Sequence, residues 1–356
     1  MRTNNKQNLK TLTLAALAGI LVAGCGQRDA HFEILGKSQG LISAPANNKV
    51  DILWVIRNAG LMGPIQTTLA NSISSFMTQF VTKNFDYQMS VVTTDIRPVD
   101  PLHPNDPNFS GQNACIVGNP AIITTTTPNP IDVLAANSNV GFFGTTDSHN
   151  LGVFQAAFTA PNLGGCNTGF LRTGAYLAVI EVSDTDDDTT VTPADALAFL
   201  DTIRPPATTP SGATLRPYSV SAMVVDNLAD KAACDAIGDT MFGTHGVSYT
   251  ELGTKLMSIA TTTGGVIGNV CAADFSASLL AMGTHILEQT SAVHLASIPN
   301  QSTIQVFQGS TTILPSATDG WTFDANTTSI VFHGSAIPIG ASVFVTVNYT
   351  PVDIVR

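Results

Sequence analysis

Residues 50 to 62 read Val50-Asp51-Ile52-Leu53-Trp54-Val55-Ile56-Arg57-Asn58-Ala59-Gly60-Leu61-Met62, and this stretch decides the fold. From Val50 to Ile56 the run is apolar but for Asp51, the pattern of a strand covered on both faces in a parallel sheet. It stops at a polar and glycine turn, Arg57 to Gly60. A helical pattern follows, with Ile65, Leu69, Ile73, Phe76 and Phe80 recurring at three- and four-residue steps. In an open α/β sheet, ligands collect at the turns after such strands, because strand ends and helix amino termini converge there.

Further strand patterns run from Asp86 to Asp95, Tyr176 to Val182 (apolar except Glu181), Tyr218 to Val225 and Gly264 to Ile267. Helical patterns separate them: a helix continuing from Val153 to Phe158, one over Pro193 to Ile203 with its proline in the first turn, one over Tyr249 to Thr262 and one over Ala273 to Gln289. This alternation predicts an α/β domain over 49–290, a doubly wound and mostly parallel sheet. Between Ile96 and Asn139 the chain is rich in Pro, Asn, Asp and Thr, so most of it is expected to be irregular and pinned by a bridge through Cys115. From about Ser291 the pattern changes to short period-two runs separated by glycines. Residues 291–356 therefore predict a small antiparallel β module, too small to fold alone and packed on the main domain.

The amino terminus is a targeting segment. Arg2, Lys6 and Lys10 precede an apolar run, Leu12 to Val22, that is too short to span a bilayer, and small residues lead to Cys25. Val22-Ala23-Gly24-Cys25 resembles the lipobox of bacterial lipoproteins, which implies a signal peptide over 1–24, a lipidated (palmitate-bearing) Cys25 and a tether over 25–48, with an added edge strand near Phe32 to Leu35. Without residues 1–24 the chain keeps 12 of its 15 basic residues and all 26 acidic ones, a net charge of −14 in place of −11. Such an acidic chain argues against nucleic acid and leaves membrane contact to the lipid anchor. Charged residues are only 12% of the chain, about half the usual share. Four cysteines remain, and an even number in an oxidising compartment reads as two disulfides among three pairings. No Cys-Xaa-Xaa-Cys pair points to a metal.

The stretch Val50 to Met62, the phrase Phe85-Asp86-Tyr87-Gln88-Met89-Ser90-Val91-Val92-Thr93-Thr94-Asp95 and the run Leu171 to Asp188 resemble von Willebrand factor type A domains of bacterial lipoproteins. In that family a divalent ion sits above the sheet, held by Asp-Xaa-Ser-Xaa-Ser in the first loop, a Thr from a second and an Asp from a third. It leaves one position for a partner's carboxylate, an arrangement of hard oxygens suited to Mg²⁺. Here the first-loop positions are Arg57, Ala59 and Leu61, the second-loop candidate is Thr145 or Thr146, and the third is Asp184. The resemblance thus implies a degenerate metal-ion-dependent adhesion site, because a cation at about 4 Å repels Mg²⁺ by several kcal/mol at an intermediate dielectric. No metal or cofactor is expected. Two arrangements remain for Arg57: its guanidinium takes the ion's place and pairs with Asp184, or it points to solvent. The resemblance to secreted proteins of this type also implies the pairings Cys115–Cys166 and Cys234–Cys271. Gly320-Trp321-Thr322-Phe323-Asp324 resembles a strand of the β extensions in similar lipoproteins.

Ser183-Asp184-Thr185-Asp186-Asp187-Asp188 lacks the glycine and closing glutamate of a calcium loop and reads as a solvated acidic loop. Trp54 and Trp321 read as packing residues. The histidines at 31, 103, 149, 245, 285, 294 and 333 have no motif partner, and Ser110 and Ser335 lack a nucleophile elbow, so no enzyme is expected. The sequence therefore implies an extracytoplasmic, lipid-anchored protein of the outer membrane or cell surface that binds a surface protein or glycan. A structural subunit of an envelope complex or fibre is the alternative, and a secreted hydrolase the weaker one.

Overall fold

The computed structural model describes residues 40–45, 47–83, 85–98, 100–102, 111–243, 248, 250–339 and 343–352. The leader, Cys25, the edge strand expected near Phe32 to Leu35, Ser110 and the histidines at 31, 103 and 245 lie outside them. Residues 38–356 form one compact unit. The chain enters with β1 (Gly40–Pro45), β2 (Lys49–Ile56), α1 (Met62–Thr82), β3 (Asp86–Thr93), β4 (Ile123–Thr124), α2 (Pro130–Asn137) and α3 (Asn150–Ala157). It continues with β5 (Tyr176–Val182), α4 (Pro193–Ile203), the hairpin β6 (Ala207–Thr208) and β7 (Thr214–Leu215), β8 (Tyr218–Val224), α5 (Leu228–Phe242), α6 (Thr254–Thr263), β9 (Ile267–Asn269) and α7 (Ser276–Ser291). Six short strands close it: β10 (Val293–His294), β11 (Gln305–Gln308), β12 (Thr311–Ile313), β13 (Trp321–Asp324), β14 (Ser329–Phe332) and β15 (Phe344–Tyr349). Among the described residues, no helix is long and apolar enough to cross a membrane.

The central sheet has the order β4-β3-β2-β5-β8-β9, parallel except for β4. The stretch that opened the sequence lies at its centre, with Ile52 opposite Met89 on one side and Ala178 on the other. Both faces are covered, as the unbroken apolar run requires. Val50, Ile52, Trp54 and Ile56 pack with α1 and α7, whereas Leu53 and Val55 belong to the core under α3, α4 and α6. The predicted stripe of α1 is buried throughout, and Phe76 meets Trp54 edge-on at 4.9 Å. Each such side chain contributes roughly 1.5–3 kcal/mol. Pro64 is tolerated in α1 because it sits in the first turn, where its missing N–H breaks no helical bond.

Asp51, the interruption in β2, lies at the opposite end of the sheet from the turn at Arg57. Its carboxylate is fully buried and accepts from Arg172 Nε at 2.7 Å and the Arg172 backbone N–H at 2.7 Å, with Arg204 at 3.6 Å. Arg172 also bridges to Asp86 and donates to the Val50 and Asp86 carbonyls. Burial pushes the Asp51 carboxyl up and Arg172 pulls it back, leaving it somewhat raised.

Several expectations are corrected. Residues 25–48 are not tether throughout: Gly40–Pro45 pairs residue for residue with β15, completing a four-stranded antiparallel sheet of order β1-β15-β11-β12. Its backbone partner lies about 300 residues away in the chain, so local composition reveals nothing of it. The segment after Ile96 is, among its described residues, mostly irregular and bridged through Cys115 as expected, and also contains α2, started by Pro130 at its first turn after a left-handed Asn129. No element is predicted between Val225 and Tyr249, yet α5 forms there, capped by the Asn227 side chain accepting from the Ala229 and Asp230 N–H groups. The next helix begins at Thr254 rather than Tyr249, and the last parallel strand at Ile267. The β module shares its core with the main domain: Val306, Trp321, Ile330, Phe332, Val345 and Val347 join the cluster under α1 and α7. Both implied disulfides are present. They close loops of 51 and 37 residues, each worth about 4 kcal/mol by chain entropy. Asp51→Ala takes from Arg204 its carboxylate and leaves Arg172 with Asp86 alone, and is expected to cost about 3 kcal/mol in urea unfolding, with an unchanged m-value.

Candidate functional site

From β2 the chain crosses to β3 on one side and, later, to β5 on the other, so the loops that leave the paired carboxyl ends of β2 and β5 part at the switch point of the sheet. Arg57 follows β2 directly and Asp184 lies two residues beyond β5. Their side chains meet at 2.6 Å, 6% and 0% exposed. Arg57 Nη1 donates also to the Ala59 carbonyl and Nη2 to the Thr146 carbonyl, both at 3.1 Å, while Asp184 Oδ2 accepts from the Leu61 N–H at 3.2 Å. Gly60 adopts φ +60°, and a Cβ there would lie 2.9 Å from Arg57 Nη1. Burial raises the Asp184 carboxyl, and the Arg57 charge works against that.

The pair is the floor of a clasp. Gln66 Nε2 donates to the Arg57 and Gly141 carbonyls at 3.0 and 2.7 Å, and its Oε1 accepts from the Gly141 N–H at 3.0 Å. Three residues on, the Gly144 N–H donates to the Asn58 carbonyl at 2.7 Å, and the Asn58 side chain leaves no room for a Cβ at Gly144. The Thr145 N–H reaches Asp95 Oδ2 at 3.3 Å, a carboxylate gripped by Arg97 and held below its usual range despite burial. Gly141-Phe142-Phe143-Gly144 is thereby held at both ends. Its two rings lie 4.5 Å apart, with Phe142 38% and Phe143 54% exposed, and Phe142 rests on Gly63 at the start of α1. Sequence reasoning missed this pair; its signal was a Phe-Phe dipeptide bracketed by glycines in an otherwise polar stretch.

The loop after Asp184 is not the solvated acidic run expected. Asp186 accepts from the Lys255 and Leu256 N–H groups at the start of α6, Asp187 from the Leu151 N–H in α3, and Asp188 from the Ser148 N–H. Lys255 Nζ returns to the Asp187 and Thr189 carbonyls at 2.8 Å. Carboxylates are drawn inward because helix amino termini present unpaired N–H groups and a positive dipole end. Glu181, in β5, is fully buried, and neither oxygen has a partner among the described residues. Burial, and then nearby Asp187, push its carboxyl well above the usual range.

Of the predicted metal-loop residues, the structure brings Arg57 and Asp184 into contact. Ala59 and Leu61, each 2% exposed, meet the pair through their backbones only. Thr145 and Thr146 come close by main chain, and Thr145 Oγ1 accepts from the Asp147 N–H instead of facing the pair. A hard dication needs about six oxygens. Here two side chains are aliphatic, one is a cation, and both Asp184 oxygens are engaged, so the residues present do not fit Mg²⁺.

Outside this crown of loops at the carboxyl end of the central sheet, Glu288 Oε1 lies 2.7 Å from His333 Nδ1, and His333 Nε2 lies 2.8 Å from Thr322 Oγ1. Thr322 is mid-strand opposite Val331, and the trio ties the β13–β14 hairpin to α7. Trp54 and Trp321 are buried packing residues, the latter donating to the Ile313 carbonyl at 2.9 Å.

No family model and no curated protein sequence matches the chain. Among solved structures it is similar to proximal thread matrix protein 1 from the mussel byssus, at 11% identity and a TM-score of 0.34, over 71% of this chain and 50% of that one. It is similar also to the pilus adhesin SpaC from Lactobacillus rhamnosus GG, at 13% identity and 0.35, over 87% and 41%. A third is the ArnB paralog VWA2 from Sulfolobus acidocaldarius, at 8% identity and 0.30, over 88% and 67%. The chain spans half or less of the length of the first two. At these values the likeness carries no residue role to this chain.

Arg57→Ala leaves Asp184 buried without its counter-charge and is expected to cost about 3–5 kcal/mol. A double-mutant cycle with Asp184→Ala should recover part of that cost as a coupling energy. For Glu181, a folded-state pKa above the unfolded one means the folded chain holds more protons, so its contribution to stability falls as pH rises above about 4.5. Relative to Glu181→Gln, the wild type should lose stability with rising pH by at most about 1.4 kcal/mol per unit, read from urea midpoints at pH 4 to 8.

Proposed function

We propose that this chain is a binding module of the cell envelope, with a type A domain whose ion site has been replaced by a fixed ion pair, and that it recognises a partner protein through its crown. It acts by binding and not by catalysis, takes no metal, and is held to the membrane by lipid on Cys25. The leader and lipobox-like tetrad of the sequence support the anchor, and the two disulfides agree with an oxidising compartment outside the cytoplasm.

One observation carries the reading: two phenylalanines stand exposed side by side on a loop clamped at both ends over the Arg57–Asp184 pair. Exposed apolar rings are held rigid at little further entropic cost on binding, which is what a recognition anchor needs. Phenylalanine has no polar handle for sugar hydroxyls, so an apolar patch on a protein is favoured over a glycan. Exposed Leu228, Ile237 and Met241 on α5 favour, as a second reading, a subunit packed within an envelope complex.

The test compares in-cell crosslinking of the wild type with a Phe142→Ser, Phe143→Ser variant. The variant should lose the wild type's crosslinked partner while its thermal midpoint stays within about 2 °C. Recovery of the same partner at the same yield would refute a crown-borne anchor. An Arg57→Asp, Ala59→Ser, Leu61→Ser variant should gain Mg²⁺ or Mn²⁺ binding by calorimetry that the wild type lacks; micromolar binding by the wild type would contradict the ion-free reading.

A further inference from the structure

We propose that the amino edge of the central sheet, opposite the crown, holds a second site, for a small monocarboxylate with an apolar body. Two adjoining cavities of about 350 and 420 Å³ open there, where β5 and β8 begin, enclosed by the β6–β7 hairpin, the end of α7 and β10. They share Tyr176, Leu215, Arg216 and Gln289. The smaller already falls within the range of small-ligand sites, roughly 300–1,000 Å³.

The chemistry of the smaller cavity selects the ligand. Its walls are mainly apolar, from Ala175, Pro205, Ala207, Leu215, Pro217 and Ala292. Its permanently charged side chains are Arg204 and Arg216, and no carboxylate is among the described residues lining it. In a chain with 26 acidic and 15 basic residues, this apolar cavity is lined by two arginines while their paired carboxylates, Asp51 and Asp201, are not among its lining residues.

The two arginines have different duties. Arg204 is committed to the protein, donating to the Ala175 and Arg172 carbonyls at 3.1 and 2.9 Å beside Asp51. Arg216 is held through Nε by Asp201 at 3.2 Å, and Asp201 is itself fixed by the Tyr218 hydroxyl at 2.5 Å. Its terminal nitrogens donate to no carboxylate or carbonyl among the described residues. A guanidinium so oriented, paired with Asp201 and facing the Tyr218 hydroxyl, still has N–H groups to offer in the planar fork that receives a carboxylate. Gln289, at the junction of the cavities, makes no side-chain hydrogen bond among the described residues, and His285 Nε2 is buried without a partner on the wall of the larger one.

One guanidinium on an apolar wall, already sharing its charge with Asp201, suits a single negative charge rather than a phosphate dianion. The larger cavity carries Asp324, which disfavours an anion, so the carboxylate belongs at the Arg216 junction with its body in the smaller cavity. An aromatic or medium-chain organic acid meets these demands. This site stands independently of the crown.

The test titrates the full chain with 3-phenylpropionate by calorimetry, beside uncharged 3-phenylpropanol. Saturable binding of the acid, about tenfold or more tighter than the alcohol, is expected from one charge-assisted contact. Arg216→Gln should remove that preference, and Arg216→Lys should keep part of it. Ala207→Trp, at the exposed rim, should block both compounds and carries the test if Arg216→Gln fails to fold. The proposal is overturned by no saturable binding, by equal affinity for acid and alcohol, or by Arg216→Gln or Ala207→Trp binding as the wild type does.

Discussion

A guanidinium on the chain and a carboxylate from beyond the neighbouring strand, 2.6 Å apart and closed off from water, tie together the loops that leave the paired ends of β2 and β5. Removing two charges from water costs several kcal/mol each, and the attraction between them offsets this only when the remaining donors and acceptors are satisfied. The loops meet most of that condition with backbone groups, the Ala59 and Thr146 carbonyls on the arginine and the Leu61 N–H on the aspartate, and leave Arg57 Nε buried without a partner among the described residues. The loops are therefore where they are because the ion pair needs them. A loose dication would recruit a guest's carboxylate to finish its shell, whereas this cation already has its carboxylate within the molecule. In the binding role proposed above, recognition falls to what the loops display on their outer side, the two phenylalanines.

The two ends of the sheet divide the charge differently. At the crown, carboxylates from Asp184 to Asp188 turn inward onto helix starts and backbone N–H groups. At the base, Asp51 gathers Arg172 and Arg204 beneath β2, and Arg216 stands by on the adjoining hairpin. An acidic chain has thus concentrated several of its few arginines at one edge, where they serve as structural ties and leave one guanidinium fork open.

How much of this could be read from sequence depended on whether the deciding contacts were local. The β2 run, the α1 stripe and the limits of Tyr176–Val182 and Pro193–Ile203 were legible because periodicity and a proline at the helix start mark them. The pairing of Arg57 with Asp184 was one of two arrangements left open by the resemblance to type A domains, and the structure decides for it over a solvent-facing arginine. β1 was not legible, because it has meaning only beside β15. The helix α5 was missed because it lays no broad apolar stripe on the core and keeps Leu228, Ile237 and Met241 in water. The acidic loop was misread for a related reason: a carboxylate run looks solvated until the helix amino termini that receive it are placed in space. Phe142 and Phe143 carry no periodicity at all, and only the clasp of Gln66 and Asn58 makes their exposure meaningful.

The most direct test of the central claim is the exchange and rotation of the Arg57 guanidinium protons, followed by nitrogen-15 NMR in the folded protein. The account predicts resolved, slowly exchanging Nη resonances that collapse in Asp184→Asn. A guanidinium averaged and exchanging as fast as an exposed arginine would contradict it.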